Sequence, residues 1–405
     1  MSISIWPSIF SFAACYGLAA IVVRTKWFLF LYERPHRFES IDGLRGFLAL
    51  AVFSHHFAIT LHWKKSNVWQ APPEVAYRNY GSVGVALFFM ITGFLFFLKL
   101  LKQRGNVGWC KLYESRIFRI LPLYFFSIAI ISIFAFGHFG YRVKSSLFRL
   151  IYEYLKWGLF IGDRINQFDD TRLVIAYVDW TLRYEWLFYF ALPLLSFLML
   201  RRGVYATSII VIICILLFFY PVKFYRFTTE YFLLFALGGI AAWIESCSLL
   251  KKIQAGNFSL SVVASLLLCI GILYSGVYSS VPIIAGFFVF VLFVNGCDLF
   301  GLLRSKPAIL LGELSYSIYL MHGIVLYAVF TYQSLIDLPH SNLTFCSFLM
   351  PIVGMLVVLV SCVTYLLIEA PFYKIGRKYR VSGVVGDLTM KAESAWRRIC
   401  RSIRS

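Results

Sequence analysis

Charged residues are scarce in this chain of 405 residues: Asp, Glu, Lys and Arg together make up 14% of it, and 19 of them are acidic. In a soluble domain about a quarter of the residues are charged. Here 60% of the residues are hydrophobic, and the mean hydropathy is +0.78. This composition excludes an ordinary soluble domain and predicts an all-α, polytopic membrane protein built as a helical bundle.

Patterns of paired cysteine are also absent. None of the nine cysteines stands in a Cys-x-x-Cys motif or at the spacing of a metal site, and most lie in apolar stretches. We therefore predict small core residues rather than a disulfide framework, and we expect no metal cofactor.

The basic residues outnumber the acidic ones, which gives a formal net charge of +19. In a soluble chain this excess would favour nucleic-acid binding. In membrane proteins, however, Lys and Arg collect on the cytoplasmic side of the bilayer. We therefore expect no nucleic-acid partner. When the loop 24–43 is placed inside and the sides alternate, the short inside loops are basic throughout and the C-terminus is cytoplasmic.

About ten membrane spans and one extra N-terminal span are predicted, since most apolar stretches approach the roughly 20 residues that cross a bilayer. They are 4–23, 44–62, 81–101, 119–137, 184–200, 204–220, 231–245, 259–275, 281–297, 309–332 and 345–369. The first could instead be an interfacial helix or an uncleaved anchor. The stretch 151–162 is apolar but short, so we predict a re-entrant or interfacial segment there.

Three regions follow from this pattern. Residues 1–40 form an N-terminal extension with an extra transmembrane or interfacial helix, and residues 41–373 form the membrane domain. The tail 374–405 places Trp396 and Ile399 among arginines. This composition is typical of a basic amphipathic helix on an anionic inner leaflet.

Arg45 and His56 are the most informative pair, because they stand eleven residues apart in the predicted span 44–62. At about 100° and 1.5 Å per residue, they share one helix face and lie roughly 16 Å apart. Ionisable groups at that depth usually serve a function. Structurally, Arg45 could instead snorkel to the inner surface and His56 could bond a neighbouring helix. His55 is turned away by about 100° and is expected to be a packing residue.

These side chains suit proton abstraction and phosphate binding. A neutral imidazole such as that of His56 takes a proton from a hydroxyl near pH 7, and an arginine fork suits phosphates. Arg116 and Arg119 share a helix face at the predicted inner mouth. They are either positive-inside anchors or a site for a phosphate-rich ligand such as coenzyme A. The pattern suggests a phosphate-bearing donor from inside and a hydroxyl acceptor further out.

Further polar groups stand at two other spans. The segment 179–189, outer in the predicted topology, contains Arg183 and Glu185 among aromatic residues. A carboxylate there usually needs a partner. The aromatic residues are either an interfacial belt or part of a sugar-binding cleft. Tyr319 and His322 share a helix face near the C-terminus.

Six segments, in order, resemble motifs of the acyltransferase-3 family of integral membrane acyltransferases. They are Asp42–Gly46 with His56 (an Arg-x10-His motif), Gly84–Phe94, Arg116–Pro122, Trp180–Glu185, Leu314–His322 and Tyr365–Phe372. The resemblance covers roughly residues 40–375. Ala86 replaces the usual acidic residue of the second motif, so no carboxylate acts there, and Thr92 stands for a serine.

The resemblance implies transfer of an acetyl or short acyl group from cytoplasmic acetyl-CoA (acyl-CoA) to a hydroxyl of a cell-surface polysaccharide or lipid-linked glycan, in the bacterial inner (cytoplasmic) membrane. It also leads us to assign roles to the residues above. Catalytic roles fall to His56, as general base or transient acyl carrier, and to Glu185. Acyl-CoA binding falls to Arg45, Arg116 and Arg119, and acceptor binding to Arg183, Tyr319 and His322. The esterase-like domain that some members carry has no counterpart after the last span. We therefore expect one protein to complete the transfer or to pass the acyl group to a partner.

Two other classes compete with this interpretation. A transporter of a sugar or anionic small molecule would tend to show paired repeats with broken helices, which the sequence does not display. A glycerolipid acyltransferase would need a His-x4-Asp pair, and none of the seven histidines has an aspartate five positions later. The transporter remains the alternative.

Overall fold

The structure is a computed structural model, and it describes residues 2–33, 38–103, 107–220, 222–224, 227–250, 252–254, 256–275, 280–332 and 342–381. Its regular secondary structure is helical apart from one hairpin of two-residue strands, β1 (Lys223–Phe224) and β2 (Phe227–Thr228). The predicted all-α class is confirmed. The amphipathic tail helix around Trp396 and Ile399 lies outside the described residues.

Fifteen α-helices occur in the described ranges. They are α1 (Trp6–Val22), α2 (Phe30–Glu33), α3 (Glu39–Ser66), α4 (Val75–Gln103), α5 (Trp109–His138), α6 (Leu147–Gly158), α7 (Trp180–Phe219), α8 (Phe232–Ser246), α9 (Phe258–Leu273), α10 (Ser280–Val294), α11 (Lys306–Glu313), α12 (Ser315–Tyr327), α13 (Leu343–Ser347), α14 (Met350–Thr364) and α15 (Ala370–Val381). Three 3₁₀ turns and two π turns connect or extend them: Asp169–Ile175, Thr229–Tyr231, Leu302–Arg304, Ala328–Tyr332 and Tyr365–Glu369.

Four helical stretches among the described residues are long and apolar enough to cross a membrane. They are Glu39–Ser66, Val75–Gln103, Trp109–His138 and Leu343–Arg377. These stretches contain the predicted spans 44–62, 81–101, 119–137 and 345–369. The protein is therefore an integral membrane protein of the polytopic helical kind. Shorter apolar helices of 10–17 residues occur at Trp6–Val22, Phe258–Leu273 and Val281–Val294.

The predicted span 309–332 is not one straight helix. The chain bends by 66° between α11 and the helix that begins at Ser315. Hydropathy reports composition only, so it does not reveal a break inside an apolar stretch. Because α12 starts at the bend, the bend sets the direction in which Tyr319 and His322 are carried.

The two spans predicted at 184–200 and 204–220, with a basic inside loop between them, are wrong as separate helices. The backbone continues as one helix of 40 residues, Trp180–Phe219. At 1.5 Å per residue it is about 60 Å long, roughly twice the hydrocarbon thickness of a bilayer. The charged run Arg201–Arg202 is costly in lipid, and for that reason the sequence predicts a loop there. The glycine that follows weakens a helix by only about 1 kcal/mol, which is too little to end it. The predicted alternation of sides beyond residue 200 therefore loses its basis.

The short apolar stretch predicted at 151–162 belongs to α6, a helix of 12 residues. Phe148 and Leu155 on its outward face are 86% and 62% exposed, whereas Glu153 and Trp157 are buried. A helix of this length is too short to cross a bilayer. An exposed apolar face is what the predicted interfacial segment requires.

The chain divides into two compact units. The first contains Met1–Val85, Leu123–Arg183 and Ile253–Leu367, and the second contains Ala86–Pro122, Tyr184–Lys252 and Ile368–Ser405. In the first unit α3 packs against α11 and α12, and α1 packs against α14. A Cβ added at Gly354 of α14 would lie 2.7 Å from Oγ of Ser11 and 3.0 Å from Sγ of Cys15. The N-terminal extension thus contributes α1 to the packed interior of this unit.

Eight of the nine cysteines lie in the described residues, and all eight are free thiols. Cys15, Cys297, Cys346 and Cys362 are buried, as expected of small core residues. Cys247 and Cys269 are exposed, so the core prediction is wrong for these two.

The contact between α3 and α11 predicts a steric effect on stability. At Gly312 a Cβ would lie 1.8 Å from the backbone oxygen of Asp42, which has no side-chain freedom to give way. We expect Gly312→Ala to lower the free energy of unfolding by about 1–3 kcal/mol through overpacking. The measurement is the apparent melting temperature in detergent, which should fall. Gly17→Ala is the matched control, because among the described residues no atom beyond its own turn of helix lies within 4 Å of its Cβ position. Equal melting temperatures for the two variants would contradict the close approach.

Candidate active site

His56 of α3 and His322 of α12 meet in the first unit, although 266 residues separate them in the chain. Nδ1 of His56 lies 3.0 Å from Nε2 of His322, and the two rings stack with centroids 5.0 Å apart. His322 is fully buried and His56 is half-buried. The structural alternative for His56, a bond to a neighbouring helix, therefore holds, but it involves only one of the two ring nitrogens.

The hydrogen-bond partners assign the tautomers. Nδ1 of His322 lies 2.9 Å from the carbonyl oxygen of Ile318, which only accepts, so this nitrogen carries the proton. In a neutral ring Nε2 of His322 then accepts, and Nδ1 of His56 must donate to it. The carbonyl oxygen of Val52, 3.1 Å from the same Nδ1, agrees with that assignment.

This assignment leaves a lone pair on Nε2 of His56. Within the part of the chain that the structure describes, Nε2 has no hydrogen-bond partner. The ring is thus held through one nitrogen while the other can accept a proton from a bound hydroxyl.

His55 is directed away from this pair, as the sequence predicts. Its Nδ1 lies 2.9 Å from the carbonyl oxygen of Tyr77 in α4. The ring of His55 nevertheless touches that of His56 edge to face, with centroids 4.9 Å apart. His55 therefore packs α3 against α4 and supports its neighbour from one side.

Arg45 stands near the N-terminal end of α3, half-buried, on the face that carries His56. The helix is continuous between the two residues, so the predicted separation of about 16 Å along one face applies. The start of α3 is fixed by its backbone contact with Gly312.

Tyr319 is buried one turn before His322 on α12, and its ring centroid lies 6.1 Å from that of His322. Its hydroxyl is 2.9 Å from Oγ1 of Thr181 and 3.4 Å from the carbonyl oxygen of Val178. The predicted helix face of Tyr319 and His322 is confirmed. Its tyrosine binds the segment that leads into α7.

Arg183 lies in this same segment and is 5% exposed. It is in electrostatic contact with Asp179, which is fully buried. Burial raises the pKa of the Asp179 carboxyl, and the positive charges of Arg172 and Arg183 oppose that rise. Nη2 of Arg172 donates to Oδ1 of Asp179 at 2.8 Å. The predicted acceptor residue Arg183 is therefore part of a buried ion cluster.

Glu185 belongs to the second unit, with the basic pair of α5. The hydroxyl of Tyr189 donates to Oε1 of Glu185, and Tyr189 is in electrostatic contact with Arg116 and Arg119. Cζ of Arg116 lies 5.4 Å from the ring centroid of Phe96. The sequence predicts Glu185 at the outer side and the arginines at the inner mouth. The structure instead brings them together through Tyr189.

Sequence reasoning missed Trp69, which contacts His56, and Tyr177, which contacts Trp69. The ring of Trp69 stacks at 20° to that of His56, with centroids 6.4 Å apart, and Tyr177 lies 5.8 Å from Trp69. Trp69 follows the end of α3, and Tyr177 follows the 3₁₀ turn Asp169–Ile175. Neither residue falls on a helical repeat with His56, so no spacing in the sequence signals the contact.

Among the described residues no group of three or more His, Cys, Asp or Glu side chains is arranged to hold a metal ion. The groups suited to an anionic ligand are guanidinium groups, which match phosphate oxygens. Those of Arg116 and Arg119 are both half-buried on one face of α5.

Comparison with known proteins gives one family and several relatives. The family model Acyl_transf_3, described as an acyltransferase domain, matches residues 38–367. The chain is 23% identical over 376 residues to O-acetyltransferase OatA from Staphylococcus aureus strains NCTC 8325 / PS 47, COL and MRSA252. Each match covers 85% of this chain and 58% of the relative, so the chain spans little more than half the length of these relatives. No solved structure matches the chain.

Proposed function

The chain belongs to the acyltransferase-3 family, and on that premise we propose that it is a membrane O-acetyltransferase. It moves an acetyl or short acyl group from cytoplasmic acyl-CoA to a hydroxyl of a cell-surface polysaccharide or lipid-linked glycan. The observation that carries the proposal is the pair of histidines, which leaves Nε2 of His56 as an available base. The name of the relatives, O-acetyltransferase, supports acetyl as the group and oxygen as the acceptor atom. Family membership favours this function over the transporter alternative.

In the proposed reaction the acceptor hydroxyl oxygen attacks the carbonyl carbon of the thioester. Nε2 of His56 takes the hydroxyl proton as the new C–O bond forms and the C–S bond breaks. The imidazolium then returns that proton to the sulfur of coenzyme A. His322 holds His56 by accepting from its Nδ1, so the nitrogen that faces the hydroxyl carries the lone pair. Tyr319 holds α12 to the Val178–Thr181 segment.

Arg116 and Arg119 are proposed to bind phosphates of the donor. An arginine fork forms charge-assisted hydrogen bonds with phosphate oxygens. Glu185 is proposed to position this basic pair through Tyr189 rather than to contact the acceptor, since its carboxylate accepts from that phenol. Arg45 is proposed as a further phosphate ligand at the opposite end of the helix that carries His56.

The predicted regions retain their proposed roles. Residues 41–373 are proposed as the acyltransferase domain, with 1–40 as an extension whose α1 packs on α14. The tail 374–405 is proposed to lie on the inner leaflet, with the C-terminus in the cytoplasm and the protein in the bacterial inner membrane. The nine Lys and Arg residues after Phe372 support a cytoplasmic tail.

Arg116→Ala should raise the KM for acetyl-CoA by about 10- to 100-fold, since a hydrogen bond to a charged group is worth about 1.5–3 kcal/mol. The rate of coenzyme A release by the purified protein, at varied acetyl-CoA, measures this. The KM of Arg116→Lys should fall between those of wild type and Arg116→Ala, because lysine keeps the charge and loses the planar fork of the guanidinium. Arg142→Ala replaces an exposed arginine and serves as the control. An unchanged KM in Arg116→Ala would show that this residue is only an anchor.

A further inference from the structure

Aromatic rings extend from His56 across the surface of the first unit. Trp69 stacks on His56, the ring of Trp63 meets that of Trp69 at 5.4 Å, and Tyr177 lies on another side at 5.8 Å. Trp63, Trp69 and Tyr177 are all half-buried, so each ring keeps some accessible surface. We call these three residues the aromatic platform. Belt residues turn their rings toward lipid headgroups, whereas these rings turn toward one another and toward a histidine.

Tyr177 is held in the platform by left-handed backbone. Ala176 and Tyr177 have φ angles of +50° and +59°, so two successive residues other than glycine are left-handed. Each costs about 1–3 kcal/mol. The strain turns the chain so that the Tyr177 ring reaches Trp69.

The same segment is fixed against the helix of His322. A Cβ at Gly323 would lie 2.4 Å from the backbone carbon of Ile175. The backbone before Tyr177 therefore touches α12 one residue after His322. This contact thus joins the segment that carries Tyr177 to the helix that carries His322.

Polar groups border the platform. Cζ of Arg172 lies 4.6 Å from the ring centroid of Tyr177, and this guanidinium also donates to Asp179. Asp179 is fully buried, and within the described residues its Oδ2 has no hydrogen-bond partner. A ligand on the platform would meet flat apolar faces and the cation of Arg172, which the buried carboxylate of Asp179 holds in place.

We propose that the aromatic platform is the subsite for a pyranose ring of the acceptor. The apolar C–H face of a sugar stacks on an aromatic ring, and its hydroxyls suit Arg172. A sugar ring bound at Trp69 would lie next to His56, because the two side chains are in ring contact. This assignment rests on the proposed function, because it makes the acceptor a carbohydrate and places it beside the proposed base.

Trp69→Ala should raise the KM for the acceptor at least about tenfold, which corresponds to the loss of one aromatic contact. Its KM for acetyl-CoA should stay unchanged. Trp69→Phe keeps a ring and should stay within about threefold of wild type. Trp27→Ala is the control, because Trp27 is 60% exposed and is not one of the three platform residues. An unchanged KM for the acceptor in Trp69→Ala would overturn the assignment of the platform as a sugar subsite.

Equilibrium binding separates this inference from the proposed reaction. Fluorescent chitotetraose, fluorescent maltotetraose and labelled surface polysaccharide from cells that carry the protein are titrated against detergent-solubilised variants. At least one glycan should bind His56→Ala as it binds wild type, and bind Trp69→Ala at least about tenfold more weakly. If none binds wild type, or if all bind Trp69→Ala equally well, the platform is overturned. Binding that depends on Trp69 without any transfer would overturn only the proposed function.

Discussion

His56→Ala should lower acetyl transfer at least about 100-fold, while membrane insertion, abundance and binding of acetyl-CoA stay as in wild type. A positioned general base contributes about 10²- to 10⁴-fold to rate, and Nε2 of His56 is the nitrogen that the tautomers leave with a lone pair. The measurement is coenzyme A release by purified protein with a defined glycan acceptor. His138→Ala removes an exposed histidine at the end of α5 and should keep full activity.

Near wild-type turnover in His56→Ala would refute the proposed mechanism. If turnover is lost, labelled acetyl-CoA without acceptor distinguishes the two possible tasks of this side chain. An acyl carrier would retain label on the wild-type protein and not on His56→Ala, since the same nitrogen would attack the thioester. A general base leaves both proteins unlabelled.

Helical periodicity alone predicts the two halves of the histidine site. Arg45 and His56 share one face of α3, and Tyr319 and His322 share one face of α12, because spacings along a continuous helix fix directions around it. That His56 and His322 meet depends on how α3 packs against α12 and on a 66° bend before Ser315. Neither property is a spacing, so the sequence names both residues and leaves the bond between them unspecified.

The errors have a common physical origin, which is that charge and hydropathy report the cost of burial and not the path of the backbone. Arg201 and Arg202 suggest a loop, yet α7 continues through them. The predicted loop between the spans 184–200 and 204–220 therefore does not exist as a break in the helix. The contact between Trp69 and Tyr177 is not predicted from the sequence. Trp69 lies after the end of α3, and Tyr177 is placed by left-handed backbone, so neither position follows from a helical spacing.

His322→Ala should lower kcat about 10- to 100-fold and leave the KM values for both substrates close to wild type, because His322 acts through His56. Without the acceptor nitrogen at 3.0 Å, Nδ1 of His56 no longer has to carry the proton, and the ring can present the wrong nitrogen to the hydroxyl.

The substitution His322→Gln tests this positioning role directly. The side-chain oxygen of glutamine can stand where Nε2 of histidine stood and accept from Nδ1 of His56, so kcat should recover most of its loss. Leucine has a similar volume but no acceptor, and His322→Leu should resemble His322→Ala. If glutamine and leucine give the same kcat, His322 serves packing alone, and the lone pair on Nε2 of His56 needs another explanation. Because all three variants fill or empty one buried position, a melting curve of each shows whether a change in kcat follows the hydrogen bond or the fold.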